Sequence, residues 1–154
     1  QFKKGCRHGF GLYTSKRRGI VFEGQWKKDK RYGDGVLKVR NRNDVVTYSY
    51  DGQWTADARH GQGTCTTLAN NGRYCGLWLH NLYHGSGIFS DSSFTYEGEF
   101  REGRFHGMGK MTTGREVYTG DFYDGLRHGM GQLQVDPSKA TQEPHLGCEC
   151  IYAG

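Results

Sequence analysis

Along much of this chain, apolar and polar residues alternate. In Tyr96–Met111 (YEGEFREGRFHGMGKM), the series Tyr96, Gly98, Phe100 alternates with Glu97 and Glu99. Glu102-Gly103 then interrupts, and His106-Gly107-x-Gly109 leads on to Met111. A period of two is the side-chain period of a β-strand, so the stretch predicts one β-hairpin. Its rings and glycines share one face and its carboxylates take the other.

The pattern returns along the chain. The opening ring recurs as Phe22, Tyr50, Tyr74, Tyr96 and Tyr118, followed two residues later by Gly24, Gly52, Gly76, Gly98 and Gly120. Two further on stand Trp26, Trp54, Trp78, Phe100 and Phe122. The return half repeats as His8-Gly9-x-Gly11, Tyr32-Gly33-x-Gly35, and then from His60, His84, His106 and His128. Such a spacing means an array of hairpins and not one globular core. The predicted fold is all-β, an elongated single-layer antiparallel meander. A partial repeat spans 1–21, repeats start near 22, 50, 74, 96 and 118, an inserted loop spans 134–150, and a further repeat starts at 151–154. With Phe2 in the tryptophan slot and Tyr152-Ala153-Gly154 restarting the signature, the chain reads as a fragment of a longer repeat protein.

Gly5, Asp29, Asp57, Asn81, Gly103 and Gly125 fill one slot between the halves, and these residue types tolerate the left-handed backbone of a tight hairpin turn. The paired glycines of the return half are expected to make room for a ring of an adjacent strand, so that Gly107→Val displaces Tyr96, Phe100 or a counterpart. Two irregularities stand out. The longer interval before Tyr50 predicts a projecting hairpin with its turn near Asn41–Asp44. The segment after Leu133, which holds both prolines, reads as a surface loop or a bend.

Composition agrees with a thin fold: 25 glycines and a mean hydropathy of −0.81 leave too little apolar surface for a thick core. There is no apolar run long enough to span a bilayer and no signal-peptide pattern. Five scattered cysteines without framework spacing favour a reducing, cytoplasmic compartment. Charge is uneven: residues 1–42 hold 13 Lys or Arg against Glu23, Asp29 and Asp34. The cluster Lys3, Lys4, Arg7, Lys16, Arg17, Arg18, Lys27, Lys28, Lys30 and Arg31 is either a solvated face or a docking end for an anionic ligand. Anionic lipid and an acidic protein tail fit it; nucleic acid is the least expected, since no RNA-binding, zinc-finger or basic-helix signature accompanies it.

His8, His60, His84, His106 and His128 occupy one repeat slot, where copies about 10 Å apart are too distant to share a metal ion. His145, Cys148 and Cys150 form the one grouping with metal-ligand character, a partial site set against reduced thiols in a loop. No Ser-His-Asp order, phosphate loop or dinucleotide fingerprint is present, so neither an enzyme activity nor a cofactor is expected.

The unit Y-x-G-x-W/F-x-x-G/D/N-x-x-H-G-x-G, seen at Tyr96–Gly109 and Tyr118–Gly131, resembles the MORN (membrane occupation and recognition nexus) repeat. Departures fall at Phe22, Tyr32, Cys75, Leu77 and the two insertions. The resemblance implies an elongated, twisted meander with a groove along one face, as in junctophilins, plant phosphoinositide kinases, a SET-domain methyltransferase, radial spoke heads and protist cytoskeletal scaffolds. It implies a non-catalytic scaffold that binds a partner protein, self-associates as a homodimer, or does both, in a cytoskeletal or ciliary assembly. On that reading Phe22, Trp26, Tyr50, Trp54, Tyr74, Trp78, Tyr96, Phe100, Tyr118 and Phe122 are the groove anchors. Two alternatives stay open: a peripheral module that meets anionic membrane lipid through the basic first third, and the regulatory array of a larger enzyme.

Overall fold

The fold is taken from a computed structural model that describes residues 1–137. A two-stranded hairpin opens the chain, β1 (Phe2–Lys3) with β2 (Cys6–Arg7). One antiparallel sheet follows, made of β3 (Gly9–Ser15), β4 (Ile20–Lys27), β5 (Lys30–Arg40), β6 (Val46–Thr55), β7 (Ala58–Thr67), β8 (Gly72–Leu79), β9 (Leu82–Ser90), β10 (Phe94–Arg101), β11 (Arg104–Thr113), β12 (Glu116–Tyr123) and β13 (Leu126–Val135). These 11 strands lie in sequence order, so the sheet is a pure meander. Among the described residues no second layer covers either face, and no helix is long and apolar enough to cross a membrane.

The turn slot behaves as its residue types predict. Within each repeat the two strands are joined by two residues that both have positive φ: Lys28-Asp29 (52° and 66°), Ala56-Asp57 (51° and 73°), His80-Asn81 (49° and 72°), Glu102-Gly103 (53° and 83°) and Asp124-Gly125 (53° and 87°). This is the turn whose twist matches that of the flanking strands. Between repeats the connections lie on the opposite edge of the sheet and are longer, apart from the two residues Gly114-Arg115 between β11 and β12. The connection Asn41–Val45 is closed by Asn41 N to Val45 O at 2.9 Å and by the Asn41 carboxamide accepting from Asn43 N and Val45 N. β5, which leads into it, is the longest strand at 11 residues. Arg40 N also donates to Gly19 O at 2.7 Å, so the extension leans on the preceding connection.

The core is a ladder of ten rings on one face, each 0–8% exposed. Each opening ring meets the second ring of its own repeat and, up to Tyr96, that of the next. Phe22 lies 5.1 Å from Trp26 and 5.4 Å from Trp54; Tyr50 lies 5.0 Å from Trp54 and 5.1 Å from Trp78. The zigzag continues from Tyr74 to Trp78 and Phe100, from Tyr96 to Phe100 and Phe122, and from Tyr118 to Phe122. All these contacts are edge-to-face, the arrangement the ring quadrupoles favour. Repeats are joined further by the indoles, with Trp26, Trp54 and Trp78 donating Nε1–H to the carbonyls of Gly11, Gly35 and Gly63.

The two glycines of the return half do different things. In the pairing of β10 with β11, Gly98 faces Gly109 and then Glu99 faces His106, so Gly107 and Met108 have no counterpart on β10. This bulge recurs in each repeat, and its glycine has positive φ: Gly33, Gly61, Gly85, Gly107 and Gly129. In two repeats the N–H that follows the bulge glycine is satisfied by the polar side chain opposite: Gln62 N donates to Gln53 Oε1 (3.0 Å) and Met130 N to Asp121 Oδ2 (3.1 Å). The second glycine lies under the tyrosine ring of its own hairpin. A Cβ on Gly109 would stand 2.4 Å from the Tyr96 hydroxyl and 2.6 Å from its Cε2.

The expectation that Gly107→Val pushes a ring aside is therefore corrected. A Cβ there would meet the Glu99 carboxylate at 2.6 Å, and the cost at Gly107 comes from its φ of 58°. Gly109→Ala is expected to lose about 3 kcal/mol by overpacking under Tyr96, against about 1–2 kcal/mol for Gly107→Ala from left-handed backbone strain. Urea melts of the two variants check the order, and a larger loss at Gly107 would contradict the division of roles.

Candidate binding face

The ten groove candidates lie beneath the surface of the ring face and are not open anchors. Phe22, Trp26, Tyr50, Trp54, Tyr74, Trp78, Tyr96, Phe100, Tyr118 and Phe122 are all buried, because each ring is covered by its neighbours in the ladder. They form the floor of the ring face and have almost no surface to offer a partner. The open surface above them belongs to Leu37, Tyr48, Tyr83, Phe94 and Met111, half-buried side chains packed against the ladder. Two of these could be read from the repeat pattern: Leu37 and Met111 each stand two residues after a second glycine, like Tyr13. Tyr48 and Phe94 come from strand extensions before the opening ring, where no repeat slot marks them.

A second column on the same face escaped the sequence reading, although its spacing is regular. Two residues after each turn slot stand Arg7, Arg31, Arg59, Tyr83, Phe105 and Arg127. Arg7 lies 4.0 Å over the Trp26 ring, Arg31 4.3 Å over Trp54 and Arg59 4.5 Å over Trp78. Each guanidinium also clamps the turn of the next hairpin. Arg7 donates from its backbone N and Nε to Asp29 Oδ1 (2.9 and 3.1 Å) and from Nη2 to Asp29 O (2.9 Å). Arg31 repeats the three bonds on Asp57 at 2.9, 3.0 and 3.1 Å. The backbone N–H of Arg7 is the main reason that the Asp29 carboxyl is held below its usual range, with the Cys6 thiol and the Arg7 guanidinium adding to it.

Beyond Arg59 the column changes character. Tyr83 stacks flat on Tyr74 at 3.8 Å and Phe105 on Tyr96 at 4.0 Å. The next turns, Gly103 and Gly125, have no side chain to clamp, and only their N–H groups bond back, to Tyr83 O and Phe105 O at 2.9 Å. Arginine, tryptophan and a polar turn residue go together in the first three copies; an aromatic cover, phenylalanine and glycine go together in the next two. The ring face thus carries guanidinium groups over its first half and aromatic covers over its second.

The basic first third is not one patch. Arg7 and Arg31 belong to the ring face and are ion-paired with Asp29 and Asp57. Lys3, Lys4, Lys27, Lys28 and Lys30 cluster at the tight-turn edge. Lys16, Arg17 and Arg18 form a 3-10 turn at the opposite edge, about 25 Å away across a strand the length of β4. The ten candidates therefore divide among three places, because each strand carries the chain from one edge to the other.

The histidine column lies on the opposite face, where His60 contacts His80 (5.6 Å) and His106 contacts Tyr123 (5.2 Å). Cys65 is buried near the middle of the ring face, 3.5 Å from the Tyr83 hydroxyl, and burial pushes its thiol pKa up. His145, Cys148 and Cys150, with the loop after 137 and the restart at Tyr152, lie outside the described residues.

A meander of bulged hairpins, locked by a ring ladder and by paired glycines under the opening rings, defines a repeat module. The MORN repeat family model matches residues 1–17, 22–38, 50–67, 74–94, 96–114 and 118–134. The chain belongs to the MORN repeat family. The comparison with curated proteins found no match.

Proposed function

We propose that this chain is a non-catalytic scaffold that binds a segment of a partner protein across its ring face. One observation carries the reading. Leu37, Tyr48, Tyr83, Phe94 and Met111 lie on top of the core, and no second layer of the described residues covers them. Half-buried apolar side chains on a rigid platform are the anchors that a peptide or helix takes with little reorganisation. Support for the non-catalytic part is that Arg7 and Arg31 are committed to turn clamps and that Cys65, buried with a raised pKa, is a poor nucleophile. The setting proposed with it is a cytoplasmic assembly of cytoskeletal or ciliary type.

The test is to identify partners by proximity labelling in cells and measure their binding to the purified chain. Leu37→Glu and Met111→Glu place a charge on the ring face and are expected to weaken binding at least about tenfold, the equivalent of about 1.4 kcal/mol. Met108→Glu changes an exposed residue of the opposite face and is expected to leave binding unchanged. The reverse result would move the site to the opposite face.

A further inference from the structure

Arg59 differs from the two arginines before it in one respect. It makes the same clamp, from its backbone N and Nε to Asn81 Oδ1 (2.9 and 3.2 Å) and from Nη2 to Asn81 O (3.1 Å). The acceptor is a carboxamide, however, where Arg7 and Arg31 find carboxylates. Asparagine reproduces the geometry of the aspartate clamp and leaves the positive charge uncompensated. No carboxylate of the described residues forms an ion pair with Arg59. Its remaining side-chain hydrogen bond runs from Nη1 to the Tyr48 hydroxyl. A guanidinium has five N–H donors, one on Nε and four on the terminal nitrogens. Nε and one donor on each terminal nitrogen are engaged, so each terminal nitrogen keeps one.

The surroundings make this charge count. Arg59 lies over Trp78, half-buried, between the open side chains Tyr48 and Tyr83 and above the buried Cys65. It stands where the arginine-bearing half of the face gives way to the aromatic half. A charge among rings, away from bulk water, is screened less than one at an edge, and its natural complement is an anion of the ligand.

We propose that Arg59 is the specificity-determining residue of the ring face, and that it takes an Asp or Glu side chain of the partner segment, flanked by apolar residues. Those apolar residues rest on Tyr83, Phe94 and Met111 on one side and on Leu37 and Tyr48 on the other. The inference rests on the ring face being the binding face. It adds the chemistry of the partner: one acidic position at a fixed place in an otherwise apolar segment.

Asn81→Asp separates a binding role from a structural one. It makes this clamp like those of Asp29 and Asp57, so the melting temperature is expected to equal or exceed that of the parent, while the charge on Arg59 is neutralised. Random peptides displayed as a library and selected on the purified chain serve as the probe. The selected peptides are expected to share one Asp or Glu among apolar positions. Changing that residue to Asn or Gln is expected to weaken binding to the parent about 10- to 100-fold, the range of a charge-assisted hydrogen bond, and by less than about threefold on Asn81→Asp. Tyr48→Phe, which removes the hydroxyl and keeps the charge, is expected to retain the acidic preference. Peptides that bind without an acidic position but lose binding on Met111→Glu would overturn the role of Arg59 and leave the ring face standing. An acidic preference undiminished on Asn81→Asp would overturn it as well. Peptides indifferent to Met111→Glu, or no binders at all, would overturn the ring-face reading and this inference with it.

Discussion

Tyr74→Ala is expected to lose about 3–5 kcal/mol, the range for emptying a large aromatic site in a core. Tyr74 is fully buried, meets Trp78 and Phe100 edge-to-face, carries Tyr83 stacked on it, and donates its hydroxyl to Leu77 O at 2.7 Å. It is also the link between the third and fourth copies. In a linear array stability is close to a sum of repeat terms and nearest-neighbour terms, so removing a central link damages the coupling of the two halves as well as one repeat. Urea unfolding followed by tryptophan fluorescence and by far-UV circular dichroism should then give separate midpoints, where the parent gives one. Tyr118→Ala is the control, since that ring meets Phe122 and the Arg127 guanidinium near the last described strand. Equal losses at the two positions would show that the ladder does not couple the repeats.

A steep loss of stability in alkali is the second large effect. Burial pushes the Tyr96 hydroxyl up to about 12 and pushes Tyr50 and Tyr74 up further. In the unfolded chain these groups titrate near 10. Below about pH 10 they are protonated in both states and contribute no pH dependence. Above it the unfolded state loses protons first, and stability falls by about 1.4 kcal/mol per pH unit for each tyrosine. Three buried hydroxyls give about 4 kcal/mol per unit, enough to unfold a domain of ordinary stability within a unit or two. The tyrosinate absorbance of the buried groups and the circular dichroism should change together in one sharp step between about pH 11 and 12. Phe22 shows that phenylalanine fits this slot, so the triple variant Tyr50→Phe, Tyr74→Phe, Tyr96→Phe is expected to flatten the dependence. Ionisation of all the tyrosines near pH 10 with the sheet intact would refute the buried assignment.

Much of this fold was legible in the sequence, and the reasons differ by feature. Strand, turn and face follow from local rules: a period of two, and a turn slot that holds only Asp, Asn or Gly. Alternation tells which face a ring takes, but it does not tell what covers the ring. The rings therefore looked like an open groove, when edge-to-face contacts between repeats close it. Gly107 and Gly109 look equivalent in sequence, and only the bulge register separates a left-handed glycine from one that makes room for Tyr96. The column from Arg7 to Arg127 is regular enough to be seen, yet its meaning depends on contacts between residues more than 20 positions apart, such as Arg31 with Asp57. The basic first third misled for a geometric reason: neighbours along the chain, such as Arg18 and Lys27, are separated by a full strand.

The change from tryptophan to phenylalanine along the ladder has an optical consequence. Trp26, Trp54 and Trp78 are the only three in the chain, and each is buried in the first half of the array. Intrinsic fluorescence is therefore a spatial label, blind to the copies beyond Trp78 and sensitive to those before it. Any event that quenches or shifts it can be assigned to the arginine-bearing half without adding a dye.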